Sequence, residues 1–183
     1  MDKNDTQLIV DFLNDEANSF DFIVFRYTKS IYNFVFRMVG NKNDAEDITQ
    51  DVFVKIWKNI KKFDQEKNFK TWVFAIARNT TIDWLRNRKN VTFSSLDTDQ
   101  EMFEETISDI LPLPDEIFSR KELVHELEIV LDKISIESKT IVFLHLKEDM
   151  TFEEIAEIVK KPMNTIKSQY RRTLHQIRGL LRI

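Results

Sequence analysis

The sequence predicts an all-α protein of two small helical domains, one of four helices and one built on a helix-turn-helix, joined by an acidic extended linker. Three observations carry that prediction. Two glycines and three prolines in 183 residues leave little material for hairpin turns, bulges or Gly-rich phosphate loops, which disfavours a β-sandwich, a Rossmann unit and a P-loop enzyme. Apolar residues recur at helical spacing before residue 90 and again after residue 118. Between these stretches, residues 91–118 carry eight acids, no base and no periodicity.

The elements follow in order. Leu8, Ile9, Phe12 and Leu13, then Phe22, Ile23, Phe25, Ile31, Phe34, Val35 and Met38, mark two helices ending at Gly40. Asn41 to Asp44 read as a turn with Asp44 as N-cap, opening a helix to about Lys62 whose core face is Ala45, Ile48, Val52, Ile56, Ile60 and Phe63. After a polar loop at 64–68, a fourth helix spans about Lys70 to Lys89 and is apolar around most of its circumference. Past the linker, which holds Pro112 and Pro114, helices are expected at about Ser119–Lys133 and Ser138–Lys147. Thr151-Phe152-Glu153-Glu154 is a capping box opening a helix that stops at Lys160-Lys161-Pro162. Pro162 to Asn164 forms a tight turn, with Asn164 suited to a left-handed conformation, and a last helix runs from Thr165 to about Leu181. Helix, short turn and second helix is the helix-turn-helix pattern.

Charge is distributed unevenly beneath a net value of −4. Residues 25–90 hold fourteen bases against seven acids, and from Lys160 onward there are seven bases and no acid. Two basic segments separated by an acidic one are compatible with nucleic-acid binding despite the low overall pI. The last helix places Ile166, Tyr170, Leu174, Ile177 and Leu181 on a core stripe. Lys167, Ser168, Arg171, Arg172, His175 and Arg178 fall on the remaining surface, where Arg and Lys near the helix start suit base edges and phosphates. On the helix after Asp44, Val54 and Trp57 leave the core face for a sector shared with Asp47, Gln50 and Asp51, as in a protein-binding surface. On the fourth helix, Arg78, Asn79, Arg86 and Lys89 cluster beside aromatics, a combination suited to single-stranded nucleic acid.

No catalytic triad, paired-carboxylate cleft or metal-ligand constellation is present, so no enzyme, cofactor or metal is expected; His125, His145 and His175 stand apart in sequence and read as structural or solvated. The absence of cysteine excludes disulfides, thiolate nucleophiles and Cys-based zinc sites. The acidic N-terminus is unlike a signal peptide and no 18-residue apolar run occurs, so a cytoplasmic protein is expected.

The run Asp44-Ala45-Glu46-Asp47-Ile48-Thr49-Gln50-Asp51-Val52-Phe53-Val54-Lys55-Ile56-Trp57 closely resembles region 2 of bacterial sigma factors of the extracytoplasmic-function (ECF) group. Phe69-Lys70-Thr71-Trp72, Ile76-Ala77-Arg78-Asn79 and Asp83-Trp84-Leu85-Arg86 continue that pattern. Thr151 to Ala156, with Asn164-Thr165-Ile166-Lys167-Ser168, is similar to region 4 of the same family. The resemblance implies region 2 over 1–90, a linker over 91–118 and region 4 over 119–183. It further implies that Asp47, Gln50, Asp51, Val54 and Trp57 contact core RNA polymerase. Phe63, Ile76 and Asn79, with the 64–68 loop, would capture a flipped base of the −10 element, while Arg78, Arg86 and Lys89 hold the backbone. Thr165, Lys167, Ser168, Arg171, Arg172 and Arg178 would bind the −35 element of promoter DNA. An anti-sigma factor, membrane-bound in some systems, is an implied partner. The chain departs from the family pattern at Asn68, Asn164 and Gln169. Without the resemblance, the residues leave open a helix-turn-helix regulator with an N-terminal dimerisation or sensing module, or an interaction protein that never touches DNA.

Overall fold

The computed structural model describes residues 3–16, 18–88 and 133–181, and the chain divides into two compact units, residues 1–96 and 97–183. The expected linker at 91–118, most of the expected helix at Ser119–Lys133, Lys89 and His125 lie outside the described residues.

The first unit contains α1 (Asp5–Leu13), α2 (Ser19–Val39), α3 (Lys42–Asn59) and α4 (Phe69–Arg88), with a 3-10 turn at Ile60–Lys62. Asn4 caps α1, its side chain accepting from the Gln7 amide at 2.8 Å. Leu8 and Ile9 anchor α1 in the core. Asp11 is buried with them and is satisfied by the Lys3 ammonium at 2.6 Å and the Gln7 amide at 2.7 Å. Asp5 ties α1 to α2, accepting from Arg26 at 2.5 Å and from the Tyr27 hydroxyl. Gly40 ends α2 at φ +71°, a left-handed position that glycine adopts without strain, and its amide donates to the Phe36 carbonyl at 2.8 Å.

The cap of α3 differs from expectation. Asn41 is extended and its side chain accepts from the Asp44 amide at 3.0 Å, so the helix starts at Lys42. Both residues qualify as caps, and the earlier one adds nearly a turn of hydrogen bonds. Asp44 lies inside the first turn and pairs with Arg88 of α4. The expected core face holds: Ala45, Ile48, Val52, Ile56 and Ile60 are at most 1% exposed. Asn68 caps α4 through the Thr71 amide at 3.0 Å. Phe34 and Phe74, both fully buried, meet edge to face at 5.7 Å where α2 crosses α4. α4 is less apolar inside than its pattern suggests. Thr80 and Thr81 are buried, donating to the Ile76 and Ala77 carbonyls, while Trp72, Ile76, Trp84 and Leu85 are only half-buried.

The second unit is described over α5 (Ile136–Leu146), α6 (Phe152–Val159) and α7 (Met163–Leu181). The capping box at α6 is complete: Thr151 Oγ1 accepts from the Glu154 amide at 3.2 Å, and Glu154 accepts from the Thr151 amide at 2.8 Å. The turn between α6 and α7 corrects the sequence reading at two points. The left-handed residue is Lys160 (φ +59°), not Asn164, and α7 starts at Met163 rather than Thr165. The left-handed step is needed to end α6, whereas Pro162, with φ preset near the helical value, leads directly into α7. Ile141, Leu144, Ile155, Ile158 and Ile166 form the centre of the core.

The salt bridge at Asp11 gives the first unit an acid sensitivity. Hydrogen bonding to Lys3 holds the Asp11 carboxyl below its ordinary range. Its contribution is complete above the unfolded aspartate value, about 3.9, and is lost as pH falls through the lowered native value. Urea unfolding of wild type and Asp11→Asn between pH 6 and pH 2.5 should show a stability gap that is largest near pH 6 and shrinks at the acid end.

Candidate functional site

The outer face of α3 is set by its inner one. Five core positions face inward at heptad-like spacing, so the opposite sector must meet solvent. Trp57 is 56% exposed and Val54 47%, and Asp47, Gln50 and Asp51 are exposed beside them. The five predicted residues therefore share one open face. A second exposed pair was not foreseen: Phe22 and Phe25 of α2, read above as part of the helical core pattern, are 58% and 87% exposed. The stripe of Ile23, Tyr27, Ile31, Phe34, Val35 and Met38 is complete without them. A helical wheel separates the two sets; spacing alone does not.

The predicted base-capture residues are only partly brought together. Phe63 is buried, packed at 5.2 Å on Phe69 and 5.1 Å on Trp72. It forms, with Phe69 and Ile9, the apolar floor of a cleft of about 310 Å³ between the 64–68 loop and the first turn of α1. Ile76 is half-buried and Asn79 exposed. They lie seven and ten residues past Phe69, roughly 10 and 15 Å along α4, and neither lines the cleft. Asn79 Oδ1 accepts from Arg78 Nη1 at 3.1 Å. Arg86 stands exposed, loosely paired with Asp83 at 3.8 Å, a surface contact worth little. The α1 side of the cleft was missed because α1 is placed by pairing with residues more than twenty positions away, which no local pattern reveals.

In the second unit, Ser168, Arg171, Arg172 and Arg178 are exposed on α7, and Thr165 and Lys167 are half-buried at its start. Ser168 donates to the Thr165 carbonyl at 3.0 Å, and Arg172 Nε to the Ser168 carbonyl at 3.3 Å. The Lys167 ammonium sits 5.9 Å from the centre of the Phe152 ring. Behind this face, His145, Phe152 and Tyr170 pack at 4.3–5.3 Å and lock α7 to α5 and α6. His145 Nδ1 donates to the Met150 carbonyl at 2.8 Å, a structural role, and burial raises the Tyr170 hydroxyl pKa. Gln169 turns inward to donate to Ser138 Oγ at 3.3 Å. Thr173, expected on no core stripe, is buried and donates to the Gln169 carbonyl at 2.9 Å.

Residues 23–91 match the Sigma-70 region 2 family. Over 171 residues the chain is 30% identical to the ECF RNA polymerase sigma factor SigW of Bacillus subtilis (strain 168), covering 91% of each chain. The chain belongs to the ECF sigma factor family. Its fold is shared with CnrH, solved in complex with the cytosolic domain of CnrY (TM-score 0.72, 18% identity, 97% of this chain and 96% of that one). It is shared too with the sigma factor RpoE of Bartonella quintana, solved with the anti-sigma factor NepR (TM-score 0.68, 21% identity, 91% and 99%). Sigma factors are transcription initiation subunits that partner RNA polymerase and are not enzymes, which decides against the free-standing regulator. Among the described residues this sigma factor has no metal-binding cluster and no helix long and apolar enough to cross a membrane.

Exposure separates the faces of this sigma factor from its core energetically. Trp57→Ala and Arg171→Ala should each change unfolding free energy by no more than about 0.5 kcal/mol. Phe74→Ala, which empties the α2–α4 crossing, should cost about 3–5 kcal/mol. Chemical denaturation of the three variants measures both.

Proposed function

We propose that the protein directs promoter-specific initiation by dividing three tasks among its faces: α3 binds core polymerase, the α4 side of the first unit opens and holds the −10 element, and α7 reads the −35 element. The observation that carries this reading is the exposed apolar and acidic face of α3. Trp57 and Val54 stand open beside Asp47, Gln50 and Asp51 on a helix whose other side is fully packed. Such a patch costs solubility unless a partner covers it, and a large aromatic ringed by polar residues is the composition of an interface hot spot. The family supplies the partner. Asn79 adds a donor and acceptor for an unpaired base edge, and Arg78, Arg86 and Lys89 add cations for the strand.

On α7, Lys167, Ser168, Arg171 and Arg172 occupy the first turns of the second helix of a helix-turn-helix, with Thr165 at its start and Arg178 two turns further along. Arginine in that place offers the paired donors that guanine edges accept. An anti-sigma partner is expected to cover one or more of these faces when transcription is off; RpoE of Bartonella quintana, which shares the fold, was solved in complex with the anti-sigma factor NepR. The acidic linker at 91–118 is proposed to run through the polymerase toward its RNA exit channel, where negative charge mimics nucleic acid. Action in the cytoplasm follows from the polymerase partnership.

Co-purification with core polymerase tests the reading. Asp51→Arg and Trp57→Ala should abolish binding while leaving the helical content and unfolding midpoint near those of wild type; normal co-purification of both variants rejects the α3 assignment. For α7, Arg171→Ala and Arg172→Ala should each weaken cognate duplex binding by about 1–3 kcal/mol. If affinity for cognate and scrambled duplexes falls equally, these residues position phosphates instead of reading bases.

A further inference from the structure

The flank of α7 beside its apolar stripe is polar and uncharged. At 100° per residue, Gln169, Thr173 and Gln176 fall within one arc of about 60°, next to Ile166 and Tyr170. Thr173 is buried and donates to the Gln169 carbonyl at 2.9 Å. Gln176 Nε2 donates to the Lys133 carbonyl across a longer 3.5 Å. Gln169 reaches across to α5, its Nε2 donating to Ser138 Oγ at 3.3 Å. The anchor at Ser138 is itself fixed. It is buried in the first turn of α5, where its amide donates to Ser135 Oγ at 3.2 Å and its Oγ accepts from the Ser135 hydroxyl at 3.1 Å. Apolar side chains of the same shape would hold two helices together about as well as such a polar path. What the polar path adds is direction.

We propose that the Ser138–Gln169 hydrogen bond sets the rotation of α7 about its own axis, which makes Gln169 a positioning residue for −35 discrimination. The proposal rests on the reading of α7 as the −35 reader. Apolar burial is non-directional, so Ile166, Tyr170, Leu174 and Ile177 hold α7 against α5 and α6 without fixing its rotation closely. A hydrogen bond weakens steeply once its angle or length is spoiled, and this one spans the two helices. Helix side chains reach about 5–6 Å from the axis, so a rotation of roughly 20° carries their tips about 2 Å. A recognition site tolerates about 0.5 Å and 10–20°. Arg172 cannot make up the difference independently. It lies one turn from Gln169, about 60° further round the helix, and its Nε is anchored on the Ser168 carbonyl at 3.3 Å. Its guanidinium therefore turns with the helix. Gln169, with its amide committed to Ser138, acts on DNA through that rotation and not by touching a base.

The test uses holoenzyme assembled from the full chain and core polymerase, on duplex fragments of a promoter chosen by run-off transcription. One fragment carries the native −35 element and the other a scrambled one, with the −10 element unchanged, and binding is read by fluorescence anisotropy. The ratio of the two affinities reports −35 reading, whereas partial unfolding would lower both affinities alike. Gln169→Leu and Ser138→Ala should each reduce the ratio by about three- to tenfold, the worth of one hydrogen bond, with scrambled binding and polymerase co-purification unchanged. The double variant should be no worse than the weaker single, because both changes remove the same bond. Thr173→Val, whose hydroxyl bonds within α7, should keep the wild-type ratio. An unchanged ratio in both Gln169→Leu and Ser138→Ala overturns the proposal. So does a loss in Gln169→Leu alone, which would mean that Gln169 touches DNA itself, or an equal loss in Thr173→Val, which would mean that any loosening of α7 suffices. If wild type binds native and scrambled fragments equally, α7 does not read the −35 element, and the parent reading fails before the positioning role is reached.

Discussion

The stripe Ala45, Ile48, Val52, Ile56 and Ile60 is the constraint on which the first unit depends. Each of these side chains is essentially removed from water, a gain of about 1.5–3 kcal/mol for each of the larger ones. That fixes the rotation of α3 about its own axis. A helix has one circumference, so the rotation that buries the stripe also decides that Val54 and Trp57 face out. The two-residue connection Gly40–Asn41 fixes where α3 starts relative to α2, through a left-handed glycine and an Asx cap. Turning the Trp57 backbone position away from those of its acidic neighbours would require unpacking the core, so the backbone of this exposed face is held as firmly as the core beneath it.

The second unit obtains its rigidity differently. α6 is only eight residues long, too short to hold itself together, and it relies on its capping box and on burial of Ile155, Ile158 and Val159. The ring cluster of His145, Phe152 and Tyr170 joins all three described helices at the start of α7. Lys167 of α7 lies over the Phe152 ring of that cluster. The proposed role of α7 in meeting base edges would need its backbone held to a fraction of an ångström, and a packed aromatic cluster supplies this better than a flexible cap.

Much of this was legible in the sequence because helices write their faces at fixed spacing. The α3 core stripe, the outward Trp57, the Thr151 capping box and the basic face of α7 all follow from local periodicity or local capping chemistry. What the sequence hid was decided by competition or by distance. Asn41 and Asp44 were both adequate caps, and only the completed helix shows which one serves. Lys160, an unfavoured residue for a left-handed conformation, takes it because α6 must end before Pro162. Thr80, Thr81 and Thr173 are buried as polar residues because each hydroxyl is satisfied by a carbonyl one turn back, an option no hydropathy pattern registers. The α1 wall of the cleft depends on Asp5 reaching Arg26 and Tyr27, and that pairing exists only in three dimensions.

The sequence's acidic balance and its nucleic-acid role are reconciled by segregation. At a Debye length of about 8 Å in physiological salt, charges farther off than that are largely screened, so net charge bears on solubility while the nearby surface decides which ligand is attracted. The acids on α3 answer to the same rule with the opposite sign. On the proposed reading Asp47 and Asp51 would disfavour nucleic acid on the face offered to polymerase, while the exposed Trp57 offers apolar area for a protein partner to bury. On that reading two ligand classes would be sorted on one small protein by local charge alone. The sorting needs only that each face be rigid, and that rigidity comes from the cores on the far sides of the same helices.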